Sequence, residues 1–523
     1  MRAHWRGAVA GLATGLAGVV AAAAVASLLN QRTGPVASVA ELVRDLTPGP
    51  LAEKLIHLVG QADKPALRIG VLVAAFLLSA WAGMLAQRRY TRGALVFGVL
   101  AALGAIGAAR STGDTASALL PVLVGATVWL ILLKLLTDPL REGATTPNAV
   151  VDLDTPAART SQPALDRRPD LDHRRTFLIR TGAAVLGAAF VGVAGRYWGK
   201  RRREVEQARD LLELPVSAGR EPTGADLRID GLSRWRTPNS EFYRIDTTFA
   251  VPTIDPDDWK LRIHGMVDQE LTLSYQDLLN SAITEDWITL CCVSNEVGGD
   301  LIGNAWWSGV RVAEVLARAG VHPHADAVLQ TSVDGWTCGT PVAALTDDRN
   351  ALLAIAMNGK PLPLEHGFPV RMVVPGLYGY VSATKWLVDL EVTRFDRFNA
   401  YWTDRGWAAR GPVKTQSRIE VPNSGRAMAG SVTVAGSAWA QHTGIERVEV
   451  RLDGHAWTDA DLAPVPGVDT WVQWRTVIEV SPGNHTLTVR ATDKSGYTQT
   501  PVKQDVVPDG ATGWHTVSFT AEG

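Results

Sequence analysis

Residues 287–321 read WITLCCVSNEVGGDLIGNAWWSGVRVAEVLARAGV and set two of the chain's three cysteines side by side. Adjacent cysteines seldom bridge each other, because a disulfide needs a Cα separation and side-chain direction that neighbours reach only with strain. The pair reads as a metal thiolate, a reactive thiol, or one ligand beside one filler. Just downstream, Ser308 can cap a helix in which Val312, Val315, Leu316 and Ala319 share a face, ended by Gly320. Just upstream, DDWKLRIHGMVDQELTLSYQDLL (257–279) alternates Trp259, Leu261 and Ile263, turns near Gly265, and alternates again at Leu271 and Leu273. That pattern predicts a hairpin leading into a helix. Mixed strands and helices continue to about residue 411.

Past that point the helical period disappears. GIERVEVRLDGHAW (444–457) alternates Val448, Val450 and Leu452, then turns at Asp453-Gly454. WRTVIEVSPGNHTLTVRATDKSGYT (474–498) gives two more strands around Pro482-Gly483. Short strands with closely spaced turns predict an all-β, immunoglobulin-like sandwich. It holds no cysteine pair, so an antibody-type bridge is excluded.

The chain has 523 residues, enough for several domains. A formal net charge of −2 gives no sign of a nucleic-acid protein. Three cysteines cannot supply a disulfide framework, so cores must hold the globular part together.

The first two hundred or so residues differ in kind, being rich in Ala, Val, Leu and Gly. Stretches near 7–29, 69–86, 93–109 and 116–136 are each long enough to cross a bilayer as a helix. Buried helices of a soluble domain are the alternative. The basic loop QRRYTRG (87–93) is of the kind that stays in the cytoplasm. It places the amino terminus inside, the 30–68 loop outside, and 138–175 back inside. The spans hold no histidine for a bis-imidazole haem, and their one charge, Lys134, lies near enough to a helix end to snorkel. A fifth apolar run follows Arg174-Arg175 and looks like a twin-arginine export signal; a plain basic flank to a transmembrane helix is the alternative. Export would put residues 199–523 outside the cytoplasm, although the basic run Lys200–Arg203 opposes that placement. Folded export suits a domain whose cofactor is inserted in the cytoplasm.

Four segments then carry a resemblance. TPNSEFYRID (237–246), the 287–321 stretch, MNGKPLPLEHGFPVRMVVPGLYGYVSATKWL (357–387) and GWHTV (513–517) resemble, in order and spacing, the sulfite-oxidase family of molybdopterin enzymes. The likeness runs from about residue 230 to the C-terminus. It implies a molybdenum-molybdopterin cofactor and an expected fold class: N-terminal transmembrane α-helices, an α+β sulfite-oxidase-like molybdopterin domain, and a C-terminal all-β immunoglobulin-like sandwich. The expected segments are a four-helix transmembrane region (1–137), a cytoplasmic polar linker (138–175), a twin-arginine-like fifth span (176–198), a molybdopterin-binding oxidoreductase domain (199–411) and a sandwich (412–523). The sandwich resembles that family's dimerisation domain, which leaves room for a homodimer through it.

In the family a cysteine thiolate binds molybdenum, and the Leu-x-Cys-x-x-Asn pattern falls on Leu290, Cys292 and Asn295. The resemblance therefore makes Cys292 the metal ligand and Cys291 a small buried neighbour, a soft thiolate being suited to such a metal. Cys338 reads as a filler near the site, with a second ligand as the alternative. The implied pterin-binding residues are His366, Arg371, Ala383, Thr384 and Lys385, together with Tyr243, Arg244, Thr331 and Asp334. A salt-bridged strand residue is the bland reading of Arg371.

The sequence also departs from the family. Sulfite oxidases carry an arginine pair after the ligand cysteine, where Glu296 and Val297 stand here. The family's active-site tyrosine aligns with Trp336, which donates through its indole N–H but cannot act as a phenol acid. Both changes argue against sulfite as substrate. FYRI (242–245) resembles another branch, periplasmic reductases that repair methionine sulfoxide in proteins. The expected activity is two-electron oxygen-atom transfer at the membrane's outer face, on a small oxyanion, sulfoxide or N-oxide. An external cytochrome or a quinone-linked carrier would exchange electrons. A membrane-tethered scaffold with a degenerate site is the reading from another class.

Overall fold

The computed structural model describes residues 4–28, 35–47, 63–111, 115–142, 201–248, 251–422 and 425–523. The twin-arginine-like run and nearly all of the polar linker before it lie outside the described residues. Contacts divide the chain into two units, Met1–Arg202 and Arg203–Gly523.

In the first unit four helices are long and apolar enough to cross a membrane, namely Trp5–Ala26, Ala66–Arg88, Tyr90–Ala109 and Leu119–Asp138. Lipid offers no hydrophobic drive between helices, so close packing must hold them together, and small residues permit it. A Cβ on Gly11 would collide with the Ser79 carbonyl oxygen, and one on Gly83 with that of Gly7. The indole of Trp129 donates to the Gly15 carbonyl at 3.1 Å. Two readings change. The 30–68 segment contains an amphipathic helix, Pro35–Leu46, rather than loop alone. The basic QRRYTRG loop shrinks to Arg89 between helices Asp63–Arg88 and Tyr90–Ser111.

The second unit begins within helix Arg201–Leu211, and its first strands form the expected hairpin. Lys260–Gly265 pairs antiparallel with Leu271–Ser274, which runs into helix Tyr275–Leu279 through a Ser274/Asp277 capping box. These strands belong to a five-stranded sheet that continues through Leu387–Thr393 and Ala327–Ser332 to Thr337–Pro341. A second sheet orders Thr284–Cys291, Ile302–Arg311, Leu352–Met357 and Lys360–Pro361, with Arg371–Val373 also paired to Leu352–Met357. Leu352–Met357 is buried at every position, so its apolar run has no solvent face.

Helix Val312–Ala319 buries the expected face and ends at Gly320, whose φ of 70° suits a residue without a Cβ. Ser308 does not cap it. The strand Ile302–Arg311 runs directly into the helix, and the Ser308 hydroxyl instead donates to Glu285 at 2.8 Å.

The C-terminal part is a sandwich. One sheet orders Gln416–Val421, Gly430–Trp439, Val472–Val480 and Asp461–Leu462. The other orders Arg426–Met428, His515–Glu522, Gly483–Asp493, Ile445–Leu452 and Thr458–Asp459. Val434, Val448, Val450, Trp474, Leu487, Val489 and Phe519 fill the space between them. The Asp453-Gly454 turn has positive φ at both positions, the geometry of a tight hairpin. The two strands around Pro482-Gly483 lie in different sheets, so this corner crosses the sandwich instead of folding a hairpin.

The sandwich packs against the strand that ends at Cys291. Thr289 Oγ1 accepts from the Trp471 backbone at 2.8 Å, and Trp471 and Trp235 exchange indole-to-carbonyl bonds of 2.9 and 3.2 Å. Arg418 donates to the Gly299 carbonyl at 2.7 Å, fixing the loop after Cys292 from the sandwich side.

Candidate active site

Successive residues of a strand face opposite ways, and this separates the two adjacent thiols. Cys291, the last residue of its strand, packs into the main core at 1% exposure, and its sulfur donates to the Cys292 carbonyl. Cys292 faces a cavity. Its backbone N–H donates to the Leu301 carbonyl at 2.9 Å, and Asn295 closes the loop by accepting from the Leu301 N–H at 2.8 Å. Burial raises the Cys292 thiol, while hydrogen bonds from Ser294 and Val293 and the charge of Lys385 oppose the rise. Cys291 is pushed well up by burial and by Cys292. Of the two, only Cys292 offers its sulfur to a ligand.

The cavity encloses about 850 Å³ of space including its open mouth. It brings together Cys292, Trp336, Tyr243, Asp334, His366, Arg371, Ala383 and Lys385. Three expected residues stay outside its lining. Thr331 lies on strand Ala327–Ser332, and the cavity takes its neighbour Ser332 instead. Arg244 pairs with Asp246 at 3.0 Å on the exposed side, and Asp246 lines the cavity in its place. Thr384 is buried with its hydroxyl 3.2 Å from the Cys338 sulfur. Cys338 sits behind the segment as filler, its thiol pushed up to about 12 by burial. Glu296 and Val297, which stand where sulfite oxidases carry the arginine pair, do not line the cavity either.

Arg371 is 5% exposed, and its guanidinium donates to the carbonyls of Met372, His366 and Ala383 at 3.2–3.5 Å. None of these acceptors is a carboxylate, so the salt-bridged strand residue is not what Arg371 is. Burial pulls it down to about 10. Lys385 donates to Asp246 at 3.1 Å and to the Glu365 carbonyl at 3.2 Å, and burial holds it down at about 8. His366 Nε2 lies 3.0 Å from the Asn239 carbonyl, so that nitrogen carries the hydrogen of a neutral ring. Burial first, then the Arg371 and Lys385 charges, hold His366 down to about 4. Three cation-capable groups thus meet, and Asp246 is bonded to Lys385 among them. Buried cations so lightly compensated suit an anionic ligand.

The remaining wall was not legible from motifs. Tyr380, Trp402 and Trp407 join Trp336 in lining the cavity. Tyr380 lies within the 357–387 stretch but was not singled out there, and the only sequence signal of Trp402 and Trp407 is the density of aromatic residues in RFNAYWTDRGW (397–407).

A family model described as "Oxidoreductase molybdopterin binding domain" matches residues 248–402. The chain is similar to "Uncharacterized oxidoreductase YuiH" of Bacillus subtilis (strain 168), at 35% identity over 29% of this chain and 74% of that protein. It is similar to "Sulfite oxidase, mitochondrial" of Macaca fascicularis, at 33% identity over 43% of this chain and 49% of that protein. It therefore spans about half the length of the curated sulfite oxidases it matches. Among solved structures, the sulfane dehydrogenase SoxCD of Paracoccus pantotrophus aligns at 23% identity and a TM-score of 0.49, over 60% of this chain and 89% of that one. By its motifs, its matched domain and these relatives, the chain belongs to the sulfite oxidase family of molybdopterin-binding oxidoreductases.

Proposed function

We propose that the chain is a membrane-anchored enzyme catalysing two-electron oxygen-atom transfer at a molybdenum held by Cys292. The observation that carries this reading is the single cavity uniting the Cys292 sulfur with Arg371, Lys385 and His366.

The residues fit a molybdopterin. A buried guanidinium bonded only to carbonyls supports an acid group of the pterin tail, and Lys385 adds a second cation. The neutral imidazole of His366 and the 383–385 segment would orient the pterin. Cys292 would lose its proton on metal binding, and the Ser294 and Val293 donors already favour its anion. When bound, the molybdenum centre supplies oxygen-atom exchange coupled to a two-electron change of oxidation state. Trp336 would donate its indole N–H to the substrate oxygen without acting as an acid. Arg418 and the sandwich would keep the Cys292 loop in register.

In this reading the catalytic unit lies outside the cytoplasm, an external cytochrome or quinone-linked carrier is its electron partner, and residues 412–523 form a homodimer. The readings as a methionine-sulfoxide-repair enzyme and as a degenerate scaffold differ in substrate and in cofactor content. Metal analysis of the purified chain should give near-stoichiometric molybdenum, lost in Cys292→Ser and kept in Cys291→Ala. A folded, metal-free wild type would refute the proposal.

A further inference from the structure

Beside its cations the cavity carries aromatic rings, of which Trp336, Trp402 and Trp407 are only half-buried. Tyr380 and Trp407 have ring centroids 5.8 Å apart at 51°, and Trp402 and Trp407 lie 6.1 Å apart at 74°. The rings are not stacked on one another, and all three line the cavity, where an apolar surface could meet them. The Tyr401 N–H bonds to Thr337 at 3.2–3.3 Å, which ties this segment to the strand that follows Trp336. The rings also continue outward. A second recess, of about 390 Å³ including its mouth, shares Tyr380 and Trp402 with the first and adds Phe395 and Phe398.

Building on the oxidoreductase reading, we propose that Trp336, Tyr380, Trp402 and Trp407 form a specificity subsite for the apolar body of an uncharged organic substrate. Its reacting oxygen lies beside Cys292, and its carbon body, at least a ring in size, lies on the indoles toward the second recess. A small inorganic oxyanion would leave this wall without a partner.

The test is calorimetric titration of the full-length, detergent-solubilised protein with three unreactive probes: methyl phenyl sulfone, dimethyl sulfone and sulfate. The aryl sulfone should bind about tenfold more tightly than the dimethyl one, with sulfate weakest. Trp402→Ala should bring the two sulfones to within about threefold of each other. Trp407→Leu serves where the alanine variant does not accumulate. Equal sulfone affinities, tighter binding of sulfate, or an unchanged ratio in the variants would overturn the subsite. Molybdenum content of the same samples tests the underlying reading separately. Metal absent with the aryl preference kept refutes the oxidoreductase and spares the subsite; metal present with no preference refutes the subsite alone.

Discussion

The cationic and aromatic sides of the cavity are built on different principles. Arg371, Lys385 and His366 are buried, tied to backbone carbonyls, and displaced from their ordinary ionisation by that burial. Trp336, Trp402 and Trp407 are only half-buried, and Trp402 and Trp407 pack edge to face. Fixed buried charge demands one kind of ligand, because leaving it without an anion is costly. A rim of rings demands only apolar surface and tolerates many shapes. One side would hold a cofactor and the other would choose among substrates.

The harshest way to break this contrast is to remove the anchor between the two sides. Cys292→Ser should abolish turnover by about a thousandfold or more, since a residue holding the reacting centre is lost. Cys291→Ala should keep turnover within about threefold, because that sulfur only fills core; steady-state assay with artificial electron carriers reads both.

Charge comes next. In the cofactor-free protein His366 sits at about 4 against an ordinary 6.5. Between those values the unfolded chain binds the extra proton, so stability rises with pH. The contribution is whole above the unfolded value and is lost as pH falls through about 4. Denaturation of the globular unit at pH 7 and pH 4 should show wild type losing about 3 kcal/mol more than His366→Gln. An equal loss would mean that His366 is not held neutral.

Arg371→Lys keeps the charge but loses the planar fork of donors. Molybdenum occupancy should fall about tenfold, read by metal analysis of dialysed protein. The smallest effect belongs to a residue that the family motif names and the cavity leaves out. Thr331→Val should change stability by less than about 0.5 kcal/mol and leave cofactor content as it was. A large loss of cofactor in that variant would return Thr331 to the pterin site.

Much of this was legible in residue order. Apolar runs of bilayer length mark four helices wherever the chain is placed, because only length and composition are needed. Alternation at Val448, Val450 and Leu452 marks a strand, since a half-buried sheet requires a period of two. The spacing around Cys292, His366 and Arg371 named residues that converge on one cavity.

Other features depended on tertiary neighbours. Ser308 has the chemistry of a cap, yet the strand it lies in runs straight into the helix and its hydroxyl serves Glu285. Which of Thr331 and Ser332 reaches the cavity is set by the face that the strand turns inward, and a motif does not encode that. Asp246, Tyr380, Trp402 and Trp407 come from separate segments and become one wall only when the sheets close. Sequence alone determined the elements and the chemistry of the anchor, because period and motif are local properties. Folding alone decided what stands beside that anchor, because burial and proximity belong to residues far apart along the chain.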